Sequence, residues 1–91
     1  MKLPEHATLE QAAALALTLP AAVAEGSGTL RVDASAVKAC DSSTIALLLQ
    51  AHRLAQAAGR PIEVVGAPAK LVQLATLYGV EGLLALVPAA A

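Results

Sequence analysis

The chain has 91 residues and a mass of 9.1 kDa, enough for one small domain with one modest core. Apolar residues make up 57% of the chain, which excludes a disordered protein. A net charge of −1 and a single aromatic side chain argue against binding to nucleic acid, and a lone cysteine excludes an intramolecular disulfide. So much apolar surface on so small a domain predicts that a partner covers part of it.

The sequence also bears on location. No segment reaches the roughly 18 apolar residues that a transmembrane helix needs, because the longest uncharged stretch, residues 11–24, is shorter and contains Pro20. Glu5 and His6 lie where a signal peptide would carry its apolar segment. We therefore expect a cytoplasmic domain with a reduced thiol and no direct insertion into the membrane.

The first predicted element is a helix over residues 9–24, which are rich in Ala and Leu. Thr8 precedes it and Gln11 follows three residues later, so the spacing indicates a capping box in which the Thr8 hydroxyl accepts a backbone N–H. Pro20 interrupts this segment and predicts either a kink or a division into two helices. A short strand with alternating polar and apolar residues follows over residues 29–33.

The most strongly helical segment spans residues 43–58, and Gly59 with the following Pro61 ends it. Asp41 and three small polar residues after it supply several side chains that can cap its free N–H groups. Helical spacing creates an apolar stripe that we expect to pack against the sheet: Leu47, Leu48, Ala51, Leu54, Ala55 and Ala58.

The C-terminal third continues the alternation of strands and helices. The predicted elements are a strand over residues 62–65, a helix over residues 68–78, a turn or short helix over residues 81–84, a last strand over residues 84–87 and a frayed end at residues 89–91. Strands that alternate with helices predict an α/β fold with at least one parallel strand pair. Because the sheet is small, we expect helices to cover mainly one of its faces.

The long helix carries a second row beside its core stripe, formed by Ile45, Leu49, His52 and Gln56. The row begins apolar and ends polar. Two interpretations stay open for Ile45 and Leu49: they pack under a neighbouring loop, or they line a groove for a partner. His52 is interpreted as a solvated or rim residue and not as a catalytic one.

The N-terminus of the same helix presents free N–H groups and the positive end of the helix dipole, and Ser42, Ser43 and Thr44 cluster there. Capping alone accounts for these residue types. The functional alternatives are phosphate binding, phosphorylation or a hydrogen-bonded contact with another protein. Since the chain has no phosphate-binding Gly-rich loop, no convergent acid–base set and no metal-ligand spacing, we expect no catalysis, no cofactor and no metal.

Residues 32–49, which read VDASAVKACDSSTIALLL, resemble the core motif of STAS domains. In that motif a strand ends in Val-Asp, and Asp-Ser/Thr-small-Gly-Leu opens a helix after a loop. Residues 59–66 match the next strand, and residues 68–80 match the following helix. The LYGV ending of that helix and the ALLL stretch are similar to the MlaB-like branch of the family.

The resemblance covers about residues 29–87 and departs from the family pattern in two places. Thr44 stands where family members usually have Gly. The strands before the first helix are shortened to about residues 1–3, which predicts an exposed sheet edge. The resemblance implies one STAS domain over residues 1–91, with a short mixed sheet and helices mainly on one face.

The resemblance to MlaB-like proteins implies a non-enzymatic subunit that binds the ATPase of an Mla-type ABC complex, which also contains a membrane permease. Such a complex transports phospholipid and maintains outer-membrane lipid asymmetry, so the subunit would lie in the cytoplasm, peripheral at the inner membrane. The Ser or Thr after the motif Asp lies at that contact, and it corresponds to Ser42 here. The alternative is an anti-sigma factor antagonist, in which the corresponding serine is phosphorylated.

Tyr78 ends the helix that follows the second strand, and its ring is expected to pack while its hydroxyl reaches solvent. The same position could lie beside a partner. The partner-binding surface predicted from the sequence therefore comprises Asp41, Ser42, Ser43, Thr44, Ile45, Leu49, His52 and Tyr78, with Ser42 as the possible phosphorylation site.

Overall fold

A computed structural model describes residues 1–89 of the chain. Within that range the elements are β1 (His6–Ala7), α1 (Leu9–Ala16), α2 (Leu19–Ala24), β2 (Leu30–Asp33), β3 (Ala39–Cys40), α3 (Ser42–Ala57), β4 (Ile62–Ala67), α4 (Ala69–Leu77) and β5 (Leu86–Pro88). This order confirms the predicted α/β class. The predicted fraying of residues 89–91 is not seen at Ala89, whose N–H donates to the carbonyl of Ala67 at 2.9 Å; residues 90 and 91 lie outside the described residues.

The main sheet has the strand order β2-β4-β5, and β1 pairs separately with β3. Every pairing among residues 1–89 is parallel. The expectation of a mixed sheet was therefore wrong for these residues. Leu30 and Val32 are buried on one face of the sheet, whereas Arg31 points to the other face and forms a 3.8 Å ion pair with Glu63. This alternation confirms that the helices cover mainly one face.

Residues 1–3 form a short extension of the sheet beside β2. Lys2 bridges to Asp33 in parallel, and the Leu3 N–H donates to the Asp33 carbonyl at 2.9 Å. Leu3 is completely buried. The shortened N-terminal segment predicted from the sequence therefore takes the place of a strand at this edge.

The N-terminal helical segment is divided into α1 and α2, and Pro20 lies in the first turn of α2, where its missing N–H removes no helical hydrogen bond. The predicted cap at Thr8 was wrong in its detail. Its hydroxyl donates to the side-chain oxygen of Gln11 at 2.9 Å and accepts no backbone N–H of α1.

Helix α3 contacts α1, α2, α4 and β4 and is the centre of the helical layer. Most of its predicted core stripe is buried, but Leu54 is half-buried, and Ala58, which follows the last helical residue Ala57, is exposed. Among residues 1–89 no helix is both long and apolar enough to cross a membrane.

Candidate functional site

The N-terminus of α3 is closed by a reciprocal pair of hydrogen bonds. The Asp41 carboxylate accepts from the Ser43 N–H at 2.8 Å, and the Asp41 N–H donates to the Thr44 hydroxyl oxygen at 3.1 Å. These bonds satisfy backbone donors that the helix itself leaves without partners. Capping thus accounts for Asp41 and Thr44, whereas Ser42 is exposed and Ser43 is half-buried.

Thr44 was expected on the partner-binding surface, but it is completely buried. Its hydroxyl donates to the carbonyl of Ala7 in β1 while it accepts from Asp41. With both hydrogen-bonding roles used inside the domain and no exposed surface, Thr44 cannot touch a partner in this conformation. The prediction of a direct contact at Thr44 is therefore corrected.

An open, mostly apolar groove runs beside the N-terminal half of α3. We call it the docking groove, and it is lined by Ser42, Ile45, Ala46, Leu49, Tyr78 and Val80. Ile45 is 3% exposed and Leu49 is half-buried against the core, while Tyr78 is 51% exposed. Ile45 and Leu49 pack in or against the core and also line the groove, and their contact with a partner stays a prediction.

His52 lies further along α3, outside the docking groove. It lines a second depression together with Gln56 and Leu83, which is 54% exposed. His52 is half-buried, and its Nδ1 atom has no hydrogen-bond partner among the described residues. The structure thus places His52 about one turn along α3 from Leu49, and its predicted place on a partner-binding surface stays a prediction.

The two depressions also contain three residues that were not predicted from the sequence: Ala46, Val80 and Leu83. Val80 and Leu83 belong to the connection between α4 and β5, whose weak apolar pattern gave no helical or strand face. A usable signal was present: these apolar residues follow Gly79, where the helix stops, and such a position favours a loop that folds back over a neighbouring helix.

Two side chains, Cys40 and Asp33, have shifted pKa values. Burial raises the pKa of the Cys40 thiol, which lies directly before Asp41, and a raised pKa disfavours the reactive thiolate. Hydrogen bonds from the Ser35 hydroxyl and N–H lower the pKa of Asp33 at the end of β2. Residues 1–89 contain no group of three or more His, Cys, Asp or Glu side chains that could hold a metal ion.

Comparison with known proteins identifies the family. A family model described as "Mlab, STAS domain" matches residues 1–88. No curated protein and no solved structure matches the chain significantly. Since the match spans nearly the whole sequence and the α/β fold agrees with it, the chain belongs to the MlaB-like STAS domain family.

Proposed function

We propose that this protein is a non-enzymatic accessory subunit that binds the ATPase of an Mla-type phospholipid-transport ABC complex. Through that complex, with its membrane permease, it would support the maintenance of outer-membrane lipid asymmetry. It would act from the cytoplasm, peripheral at the inner membrane. Membership in the MlaB-like family supports this role, and the observation that carries it is the docking groove with the exposed Ser42 at its end.

The chemistry of the docking groove suits a protein partner. Interface centres are apolar and often contain an aromatic residue, and Tyr78 supplies a half-exposed ring beside Leu49 and Val80. None of the side chains that line the groove is charged. Ser42 adds one hydrogen-bonding hydroxyl at the positive end of the α3 dipole, which fixes the orientation of a partner better than apolar contact alone.

Binding to the ATPase is the direct test. The chain and an Mla-type ATPase from the same organism are purified, and their Kd is measured for the wild type and for Ser42→Glu and Tyr78→Ala. We expect each substitution to weaken binding by about 10-fold or more, as for central interface residues. The matched controls are Ser27→Glu in an exposed loop and Leu17→Ala, because Leu17 is 84% exposed and does not line the docking groove.

The test separates the function from the site. If the wild-type chain does not bind the ATPase, the proposed function is wrong. If it binds and both groove variants bind as well as their controls, the function stands and the docking groove is the wrong surface. Leu49→Asp extends the series, with circular dichroism to verify folding because Leu49 also contacts the core.

The exposed Ser42 also favours the second candidate function, an anti-sigma factor antagonist controlled by phosphorylation. A phosphate on Ser42 would add roughly −1.5 to −2 charges next to the Asp41 carboxylate and change the binding face. Incubation with a cognate kinase and ATP, followed by mass spectrometry, tests this role with Ser42→Ala as the control. Stoichiometric phosphate on Ser42 supports it, and an unmodified Ser42 contradicts it.

A further inference from the structure

We infer that Thr44 is a positioning residue of the docking groove: its buried hydroxyl ties the start of α3 to β1 and thereby fixes where Ser42 is presented. The inference rests on the proposed function, in which the groove binds a partner. Thr44 itself does not touch that partner, because it is 0% exposed. It acts through the backbone of residues 41–43.

The hydroxyl of Thr44 makes two hydrogen bonds that join distant segments. It donates to the carbonyl of Ala7, 37 residues earlier in the chain, and accepts from the N–H of Asp41 at 3.1 Å. A threonine hydroxyl has one proton to donate, and here the donor is directed at a strand and not at a neighbouring turn of the helix. Removing the Thr44 hydroxyl would leave the buried carbonyl of Ala7 without this hydrogen bond, which costs free energy in an interior without water.

The pairing of β1 with β3 provides a second set of contacts at the start of α3. Ala7 is in register with Cys40, the last residue of β3, and the chain then runs directly through Asp41 into α3. The backbone of Asp41 and Ser42 is therefore held on one side by the Ala7–Cys40 pairing and on the other by Thr44. A contact surface held in place before binding loses less conformational entropy when a partner docks.

Because β1 is short, the hydrogen bond from Thr44 to Ala7 matters more for holding this strand against α3. β1 has only two residues, so its pairing with β3 supplies few hydrogen bonds. The Thr44 hydroxyl adds a buried link between the same strand and the helix that carries the docking groove.

Two substitutions separate the hydrogen bonds from the packing. Thr44→Val keeps the shape and removes both bonds, whereas Thr44→Ser keeps both bonds and removes one methyl group. We expect Thr44→Val to raise the Kd for the ATPase about tenfold, measured well below the unfolding midpoint of the variant, and Thr44→Ser to restore binding close to the wild-type value. Amide hydrogen exchange at residues 41–43 should become faster in Thr44→Val and not in Thr44→Ser.

The inference is overturned if Thr44→Val lowers only the unfolding midpoint and leaves both the Kd and the exchange at residues 41–43 unchanged. It is also overturned if Thr44→Ser behaves like Thr44→Val, since the methyl group would then be responsible. If Thr44→Val does not fold, Thr44→Ala takes its place, because it removes the hydroxyl and leaves space beside the Ala7 carbonyl. If the wild-type chain does not bind the ATPase, the proposed function fails, and hydrogen exchange alone decides whether Thr44 holds residues 41–43.

Discussion

Asp41, Ser42 and Thr44 lie within four consecutive residues and have three different environments. The carboxylate of Asp41 caps α3, and the hydroxyl of Thr44 is buried against β1, so both are occupied by intramolecular bonds. Ser42 lies between them and is exposed. Of these three, Ser42 is therefore the residue whose polar group is available to a partner or a kinase, while its neighbours define its position.

Asp33 allows a prediction about pH. Its carboxylate accepts from the Ser35 N–H at 2.9 Å, and hydrogen bonds from the Ser35 hydroxyl and N–H hold its pKa below the usual 3.8. Because the pKa is lower in the folded state, the ionised carboxylate stabilises the fold above the unfolded pKa, and this stabilisation is lost as the pH falls through the folded pKa. Asp33→Asn should therefore have a lower unfolding midpoint than the wild type near neutral pH, and the difference between the two midpoints should shrink in acid.

Thermal unfolding of the wild type and of Asp33→Asn from about pH 7 to about pH 3 measures this effect. Glu10→Gln is the control, since Glu10 is an exposed carboxylate in the first turn of α1. A difference between the wild type and Asp33→Asn that stays constant over the whole range would contradict the assignment to the charge of Asp33.

At the scale of elements, hydrogen bonds between residues distant in sequence connect short helices, strands and loops. The Arg60 side chain donates from Nε to the Gly28 carbonyl at 2.9 Å and from Nη1 to the Val23 carbonyl at 2.6 Å. Val23 lies in the last turn of α2, where carbonyls have no helical partner and the dipole is negative. One guanidinium thus connects the end of α2, the loop before β2 and the segment before β4.

At Gly66, β4 closely approaches the loop that follows β2. The φ of Gly66 is +68°, and a Cβ atom at this position would lie 2.9 Å from the Cβ of Ser35. Gly79 has nearly the same φ of +70° but faces open space. We expect Gly79→Ala to lower the free energy of unfolding by about 1–2 kcal/mol, because alanine is strained at this φ. Gly66→Ala should lower it by at least about 1 kcal/mol more, because the added methyl group also forces the Ser35 segment to move.

Chemical denaturation of both variants measures these costs, with the wild type as the reference. The difference between the two alanine variants isolates the steric term, since the backbone term is shared. Equal losses of unfolding free energy would mean that the loop of Ser35 moves away without cost, and the close approach would then not constrain the sheet.

Local sequence signals predicted the elements that depend on local physics. Pro20 predicted a kink or a division, and the structure has the division between α1 and α2. Asp41 and the small polar residues after it predicted the start of α3, because a capping side chain acts within a few residues. The two-residue strands β1 and β3 gave no usable periodicity, and their pairing is set by tertiary contacts. The burial of Thr44 could not be predicted for the same reason, since its acceptor, Ala7, is distant in sequence.

At the scale of the whole molecule, the apolar surplus is only partly explained by the core. Fewer than half of the apolar residues within residues 1–89 are buried, and several large side chains are exposed: Leu9, Leu17, Leu77, Tyr78, Leu83 and Val87. Tyr78 lines the docking groove and Leu83 the neighbouring depression beside His52. The surplus therefore includes the surface on which a partner is proposed to bind.

The first residues of the chain contact β2 at the edge of the sheet, and Leu3 is one of the completely buried leucines of the core. Leu3 is 0% exposed, and its N–H donates to Asp33 at 2.9 Å. Leu3→Ala should lower the free energy of unfolding by about 2–5 kcal/mol, the usual cost of a cavity at a fully buried leucine. Because small domains are stable by only about 5–15 kcal/mol, that loss is a large fraction of the total.

Urea unfolding followed by circular dichroism measures the effect, and Lys2→Ala is the matched control because Lys2 is exposed on the same segment. The control should differ from the wild type by less than about 0.5 kcal/mol. If Leu3→Ala were equally neutral, residues 1–3 would not be part of the cooperative unit, and β2 would form a free edge of the sheet in solution. A large loss in Leu3→Ala with a normal cooperative transition instead shows that these three residues act as the edge strand of the domain.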